Sequence, residues 1–201
     1  MSGNFLLNNK EINSNIIKNV LLMLKRREKI DDVDSIFNSL QEDINSTTVF
    51  KFTSNNNKFG INILNSKLNS IISKSPLDEY LNSNLDVHKI IIIDNPSKRA
   101  VKQLYSSYQN CEFFFLREMI EDICAKVFVP QHIILNNEDK DDLLKRFKLK
   151  DLSKILSTDV MSRYYDAKVD DVFKIIRPNI TTGHSIFYRV VVNGKIDNLF
   201  P

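Results

Sequence analysis

The stretch HKIIIIDNPSKRAVKQLYSSYQNCEFFFL, residues 88–116, decides the fold class of this 201-residue chain. It begins with a continuous apolar run in His88–Asp94, which is typical of a strand buried on both faces of a sheet. Asn95-Pro96-Ser97 interrupts the run, Lys98–Tyr108 has helical character, and Cys111–Leu116 has strand character again. A strand, a helix and a strand in this order predict a right-handed crossover between parallel strands, and therefore an α/β arrangement.

The residues before this stretch predict two helices followed by a hairpin. Apolar residues recur at helical spacing between Ile12 and Arg27, and Asp34–Ile44 predicts a second, shorter helix. Val49–Thr53 and Phe59–Leu64 have strand character, and the polar residues between them predict a tight connection. Two further short stretches are interpreted as helical turns, Leu68–Ser73 and Leu77–Asn82.

The pattern changes after Pro130, which predicts a second domain. Asn136 or Asn137 can cap a helix that includes residues 141–147, and two strands follow, Val172–Arg177 and Ser185–Val192. Pro178 and Gly183 flank the turn between those strands. We therefore predict an N-terminal domain of residues 1–128 and a C-terminal domain of residues 129–201.

Composition sets limits on the class of protein. The net charge of +3 and the apolar fraction of 42% predict a globular protein with a real core, and not a strongly basic nucleic-acid-coating protein. Cys111 and Cys124 match no disulfide framework and no metal-ligand spacing, which indicates a reducing compartment. No signal peptide and no membrane span are expected.

The common signatures of catalysis are missing. His88, His132 and His184 lie far apart in the sequence without a neighbouring ligand, so we expect no metal site. The chain contains neither a glycine-rich phosphate loop nor a G-x-S-x-G nucleophile motif. We expect no cofactor and no small-molecule ligand, and the missing signatures count mildly against an enzyme.

One stretch could bind anions. Asn95 or Ser97 can cap the helix that follows, and Pro96 stands near its first turn. Free backbone N–H groups there, together with Lys98, Arg99 and Lys102, could bind a phosphate backbone. The alternative is an ordinary capped surface helix, which the residues alone favour. Two other basic clusters are interpreted as solvated helix faces, Lys25–Lys29 and Lys145–Lys150.

Tyrosine and arginine are concentrated near the C-terminus. These are the residue types enriched at interface hot spots, and they stand close together in the sequence at Arg163, Tyr164, Tyr165, Arg177, Tyr188 and Arg189. A two-stranded element with an open edge could also accept a strand from a partner. The alternative is that the same residues form the core and the salt bridges of a small domain.

The order of residues in this region carries a family signature. In register, the matching residues are Asp159, Arg163, Tyr164, Tyr165, Val172, Lys174, Ile175, Ile176, Arg177, Pro178, Thr181, Gly183, Tyr188, Arg189 and Val191. This order resembles the C-terminal signature of the fifth common subunit of eukaryotic RNA polymerases I, II and III, a family whose archaeal members lack the N-terminal domain. Upstream, Val129-Pro130-Gln131-His132 and Leu143–Phe147 resemble further motifs of that family, and the N-terminal part resembles its longer, eukaryotic form.

The chain departs from the family pattern at two glycines, which are Asp166 and Asp170 here. Aspartate tolerates positive φ better than most residues, so we expect the turns to be kept. The divergence and the composition, rich in Asn, Ile and Lys, suggest a large DNA virus or an AT-rich protist as the source. The resemblance then implies the nucleus for a cellular source, and the virion or a cytoplasmic virus factory for a viral one.

What the resemblance implies is a structural role without catalysis. It implies an α/β (α+β) fold in two domains, with an N-terminal nuclease-like jaw domain around downstream DNA and a C-terminal assembly domain that docks on the largest polymerase subunit. Pro96, Ser97, Lys98 and Arg99 would lie near the DNA, through weak and sequence-independent contacts. No membrane partner is implied.

Two alternatives remain open at this point. An active nuclease of the same fold class would need acidic residues and a lysine around a metal ion. Asp94 and Glu112 could supply the carboxylates, but Phe114 stands where the lysine of a [D/E]-x-K motif is expected. The other alternative is a transcription adaptor that binds proteins without entering a polymerase.

Overall fold

The chain forms two compact units, Met1–Asp122 and Ile123–Pro201. The structure is a computed structural model, and it describes residues 9–45, 47–83, 85–179, 181 and 183–200. The boundary inferred from the sequence, after residue 128, stays a prediction. Across the described residues, no helix combines the length and the apolar character that a membrane crossing would need.

The first unit consists of five helices and four strands among the described residues, together with a 3₁₀ turn at Gln41–Asn45. The helices are α1 (Asn9–Arg26), α2 (Val33–Leu40), α3 (Pro76–Asn82), α4 (Lys98–Ser107) and α5 (Leu116–Met119). The strands are β1 (Val49–Ser54), β2 (Asn57–Leu68), β3 (Val87–Pro96) and β4 (Cys111–Phe115). The two predicted N-terminal helices, the hairpin and the strand–helix–strand stretch are therefore confirmed.

The four strands form one mixed sheet in the order β1-β2-β3-β4. β1 and β2 are antiparallel, whereas β3 is parallel to both β2 and β4. The parallel pairing of β3 with β4, which α4 connects, confirms the predicted crossover between parallel strands, while its right hand stays a prediction. Ile90–Ile93 are completely buried, as expected for a central strand covered on both faces.

The predicted helical turn at Leu68–Ser73 is wrong. Leu68 ends β2 opposite Pro96, and its carbonyl accepts a hydrogen bond from the N–H of Ser97. Further along, the side-chain amide of Gln103 bonds both the N–H and the carbonyl of Ile71. Tertiary partners thus satisfy backbone groups that a helix would otherwise have to pair. The second predicted turn, at Leu77–Asn82, is confirmed as α3.

The second unit is built around another four-stranded sheet. Its strands are β5 (Gln131–Ile134), β6 (Ser153–Leu156), β7 (Val172–Asn179) and β8 (Gly183–Val192), in the order β5-β7-β8-β6. Its helices are α6 (Asn137–Leu144) and α7 (Val160–Tyr164), and short 3₁₀ turns lie at Ile123–Ala125, Leu149–Asp151 and Ile196–Leu199. The side chain of Asn136 caps α6, as predicted.

Each face of the second sheet carries its own apolar core. Ile155, Phe173, Ile175 and Val191 form one cluster, against which Tyr165 packs. On the other face, the α6 residue Leu143 packs against Val172 and Val190. Both cores lie where β7 begins and β8 ends, so the helices cover only that part of the hairpin. The two mixed sheets with their helices confirm the α+β fold class.

The two predicted C-terminal strands are confirmed as β7 and β8, but they form only the middle of a larger sheet. β7 and β8 occupy the centre of the sheet, because β5 pairs with β7 and β6 pairs with β8. The sequence did not predict these two edge strands, which have only four residues each. The edge of β8 is therefore covered only in part, from Arg189, which pairs with the first residue of β6, to Val192.

Candidate protein and nucleic-acid interfaces

Three of the six residues predicted for a partner surface belong to the core of the second unit. Arg163 is 9% exposed and Tyr164 is 2% exposed. The Nε of Arg163 donates to the carbonyl of Thr158 over 3.2 Å. Tyr165 is half-buried, and its ring packs edge-on against Tyr164 at 5.3 Å and Phe173 at 6.0 Å. These contacts fit the alternative that the three residues form the core of a small domain. Their effect on an interface would then be indirect, through the fold of the unit that presents it.

The other three predicted residues lie on the β7–β8 hairpin. Arg177 is exposed, and its guanidinium stands 5.3 Å from the centre of the Phe187 ring. Tyr188 and Arg189 are half-buried, with Tyr188 packed against the core beneath α6. The six residues thus separate into a buried group around α7 and an accessible group on the hairpin.

The sequence analysis missed two accessible apolar residues on this hairpin. Ile186 is 51% exposed and Phe187 is 48% exposed. They are neighbours in β8, so their side chains point to opposite faces of the sheet. Their position beyond the two cores, in the part of β8 that precedes its first pair with β6 at Arg189, could not be read from the sequence.

The two aspartates that replace family glycines adopt left-handed backbone conformations. The φ angle is 52° at Asp166 and 73° at Asp170. The carboxylate of Asp166 also accepts a hydrogen bond from the Lys168 ammonium. The expectation that aspartate keeps these turns is confirmed.

The predicted anion-binding stretch forms the beginning of α4. The side chain of Ser97 caps the helix by accepting the N–H of Ala100, and its hydroxyl donates to the carbonyl of Asn69. Pro96 is buried, whereas Lys98, Arg99 and Lys102 are exposed. The hydroxyl of Ser97 is thus committed to the fold, and the accessible chemistry of this helix end is its cationic side chains.

The two candidate nuclease carboxylates do not meet. In the β3–β4 register, Glu112 is opposite Ile90, while Asp94 lies beyond the last pair, Ile93 with Phe115. Four strand residues separate the levels of Asp94 and Glu112, which corresponds to about 13 Å. Phe114, at the position where a nuclease lysine is expected, is completely buried. In the described ranges, no group of three or more His, Cys, Asp or Glu side chains could hold a metal ion.

Glu112 instead belongs to a charged network that the sequence did not predict. The guanidinium of Arg27 donates to both of its carboxylate oxygens, at 2.7 Å and 2.8 Å, and His88 Nε2 contacts Oε1. The Arg27 side chain is 4% exposed, so the interpretation of Lys25–Lys29 as a solvated helix face is wrong at this residue.

Electrostatics in this network favour the charged forms. Burial alone would raise the pKa of Glu112, but hydrogen bonds from His88 and Arg27 outweigh it and lower the pKa to about 2. Burial also disfavours the imidazolium of His88, yet the hydrogen bond and the charge of Glu112 raise its pKa above the usual value. A carboxylate neutralised in this way is suited to holding helix and sheet together, and not to binding a metal.

Burial shifts the pKa of two other titratable side chains, His132 in the second unit and Cys111 in the first. Burial lowers the pKa of His132, whose Nδ1 is bonded to the carbonyl of Pro130. Cys111 and Cys124 are half-buried and form no disulfide within the described residues. Burial raises the pKa of Cys111 to about 12, so that thiol is unreactive at neutral pH.

The sequence of this chain is similar to subunits of DNA-directed RNA polymerases. The profile of RNA polymerase Rpb5, C-terminal domain, matches residues 121–191. Over 98 residues, the chain is 37% identical to the RPABC1 subunit of DNA-directed RNA polymerases I, II and III from Caenorhabditis elegans. That alignment covers 48% of this chain and 46% of the relative, so it spans just under half the length of the nematode protein.

Two other relatives are informative because the chain covers nearly all of each. Subunit Rpo5 of the archaeon Thermofilum pendens is 40% identical over 75 residues, which is 36% of this chain and 94% of the relative. DNA-directed RNA polymerase subunit 5 of Acanthamoeba polyphaga mimivirus is 27% identical over 189 residues, which is 88% of this chain and 90% of the relative. The archaeal alignment covers about a third of this chain, whereas the viral alignment covers 88% of it and so includes much of the N-terminal unit.

Proposed function

The chain belongs to the family of RNA polymerase subunit 5, Rpb5, and from that premise we propose that it is a non-catalytic structural subunit of a multisubunit DNA-directed RNA polymerase. The observation that carries the proposal is the similarity to relatives named as polymerase subunits, which spans nearly the whole archaeal and viral proteins. The structure supports it, because Asp94 and Glu112, the two carboxylates considered for a nuclease, lie about 13 Å apart along the sheet.

The second unit is the part that docks on the largest polymerase subunit in this proposal. Its surface offers Arg177, Tyr188 and Arg189 on one hairpin, with the apolar side chains of Ile186 and Phe187 beside them. Arginine and tyrosine beside exposed apolar groups are the composition expected at a protein interface. The buried Arg163 and Tyr164 maintain the unit that presents this hairpin.

The first unit contributes to the jaw around downstream DNA. Lys98, Arg99 and Lys102 at the start of α4 supply its contacts to the phosphate backbone, and those contacts are independent of sequence. The positive and negative charges of this unit nearly balance, so the free subunit binds DNA only weakly. A gel-shift signal from the isolated chain should disappear when about 0.3 M salt is added.

The subunit works where its polymerase transcribes. A cellular source places it in the nucleus, and a viral source places it in the virion or in a cytoplasmic virus factory. The similarity to a mimivirus subunit along most of both chains supports the viral assignment.

The test is affinity purification of the tagged chain from its source, followed by identification of the co-purifying proteins. We expect the largest polymerase subunit in stoichiometric amount. Recovery of the chain alone, or only with proteins outside a polymerase, would reject the proposal and favour the free-standing adaptor. Cleavage of DNA with Mg²⁺ that disappears in Asp94→Ala would instead favour the nuclease.

A further inference from the structure

The edge of β8 is open along the first part of the strand. β7 pairs with β8 from Gly183 to Val190, whereas β6 pairs with it only from Arg189 to Val192. Among the residues that the structure describes, no strand lies beside Gly183–Tyr188 on the β6 side. An uncovered strand edge of this kind is a template for pairing with another chain.

The direction of the backbone groups along this edge follows from hydrogen bonds at its covered end. Val191 bonds Asp170 and Asp171 on the β7 side, whereas the carbonyl of Val192 accepts the N–H of Ser157 on the β6 side. Backbone groups alternate in direction along a strand, and the β7–β8 register runs without a shift. Ile186 therefore points both its N–H and its carbonyl towards the open side.

The side chains around the open edge are accessible on both faces of the sheet. Ile186 projects on the face of Val190 and Phe187 on the face of Val191, but both lie beyond the two cores. The Arg177 guanidinium lies over the ring of Phe187. A strand added here would bury these apolar groups while pairing the backbone of Ile186.

The charge of the hairpin has a single sign. Residues 172–192 contain Lys174, Arg177 and Arg189 but neither aspartate nor glutamate. An acidic strand would meet complementary charge here, and a basic one would be repelled. A second copy of this hairpin would bring the same cations together, so the charge disfavours self-association at this edge.

We propose that the open edge of β8 receives an extended, acidic segment of the largest polymerase subunit, which adds to the sheet as a fifth strand. Main-chain hydrogen bonds at Ile186 hold the strand, the apolar groups of Ile186 and Phe187 are covered by it, and Arg177 pairs with its carboxylates. This inference rests on the proposed function and states how the docking occurs.

The experiment uses the full-length chain co-expressed with the largest subunit encoded by the same genome. Ile186→Pro removes the outward N–H without removing a bond to β7, and proline is tolerated at a strand edge. We expect it to reduce the recovered complex about tenfold, whereas Ile186→Thr keeps the N–H and loses less. Circular dichroism and the thermal midpoint of each free variant show whether it is folded.

Hydrogen exchange measures strand addition without any mutation. In the wild-type complex, we expect exchange at the Ile186 amide to slow at least about tenfold relative to the free chain. Arg177→Glu should weaken the complex about tenfold, and the matched change Lys150→Glu, on an exposed residue outside the hairpin, should not. Cross-linking from the hairpin should capture a segment of net negative charge.

The outcomes separate this inference from the proposed function. If the wild-type chain does not co-purify with the largest subunit, the proposed function fails and the inference fails with it. If the complex forms but the Ile186 amide exchanges as in the free chain, strand addition is wrong while the polymerase role stands. A captured segment that is basic, or one from a second copy of this chain, overturns the inference in the same way.

Discussion

Arg27, directly after α1, donates two hydrogen bonds to the carboxylate of Glu112 in β4, from Nη1 to Oε1 at 2.7 Å and from Nη2 to Oε2 at 2.8 Å. The pair joins the end of the first helix to the sheet of the N-terminal unit, and both side chains are mostly buried. Removal of Arg27 takes the bidentate cationic partner from a mostly buried carboxylate, which then keeps the contact with His88.

Replacement of Arg27 by methionine should strongly destabilise the N-terminal unit. We expect Arg27→Met to lower the free energy of unfolding by about 3 kcal/mol, since a buried carboxylate loses its charged partner. Urea unfolding followed by circular dichroism measures the change. Arg27→Met combined with Glu112→Gln should recover part of the loss, because the uncompensated charge is gone.

A matched control uses an ion pair on the surface of the same unit. Lys58 and Asp86 are 2.6 Å apart, and both side chains are largely exposed. Lys58→Met should change stability by less than about 1 kcal/mol. Equal losses from the two methionine variants would contradict the role assigned to the buried pair.

The same network predicts a dependence of stability on pH. The pKa of His88 is raised in the folded chain, so its contribution is complete below the unfolded value of 6.5 and is lost as the pH rises through the folded pKa. The pKa of Glu112 is lowered from 4.5 to about 2, so its contribution is complete above 4.5 and is lost as the pH falls towards 2. Stability of the N-terminal unit should therefore be greatest between pH 4.5 and 6.5.

Unfolding measured in urea at pH 5.5 and pH 8.5 tests the histidine contribution. The N-terminal unit of the wild-type chain should be less stable at pH 8.5, and His88→Gln should reduce the difference between the two values. Asn110 also bonds the His88 ring, at Nδ1, so Asn110→Ala should weaken the same dependence. An unchanged difference in His88→Gln would show that another group titrates.

Much of the N-terminal fold could be predicted because its central segments carry strong local signals. The continuous apolar run of β3 is typical of a strand that is buried on both faces of a sheet. Ser97 is a residue type that is preferred as a helix cap, and it caps α4. The short strands β5 and β6 carry no such signal. Each becomes a strand only because β7 or β8 provides backbone partners, and those partners are distant in sequence.

The candidate site could be predicted by residue type but not by accessibility. Tyr164 and Tyr188 both match the family pattern, yet the first is in the core and the second is half-buried on the hairpin. Composition does not distinguish a tyrosine that fills a core from one that meets a partner. The Arg27–Glu112 pair was missed for a related reason. Arg27 follows α1 and Glu112 lies in β4, and only the packing of the helix on the sheet brings these two distant residues together.

The backbone at Asp170 gives a prediction about the glycine that the family resemblance leads one to expect at this position. Its φ of 73° is unfavourable for any residue with a Cβ, but aspartate tolerates it and β-branched residues do not. Asp170→Gly should be neutral or stabilise the C-terminal unit by up to about 1 kcal/mol, whereas Asp170→Val should destabilise it by about 2 kcal/mol. Thermal unfolding distinguishes the two, and equal midpoints would refute a left-handed turn.

The close approach of Tyr80 to Gly60 gives the last prediction. The Tyr80 hydroxyl is buried without a hydrogen-bond partner among the described residues, and burial raises its pKa to about 12. Tyr80→Phe removes this unpaired group and should increase the free energy of unfolding by about 1 kcal/mol. A decrease would show that the hydroxyl is bonded in solution.

A double-mutant cycle tests the contact itself. A Cβ on Gly60 would overlap the Tyr80 hydroxyl, whereas the ring carbon Cζ would be 3.5 Å away, an ordinary contact. Gly60→Ala should therefore cost about 2 kcal/mol in the wild-type chain and less than half of that in Tyr80→Phe. Equal costs in the two backgrounds would mean that the hydroxyl does not oppose alanine and that another neighbour does, such as Val87, whose Cγ1 would be 3.4 Å from the new Cβ.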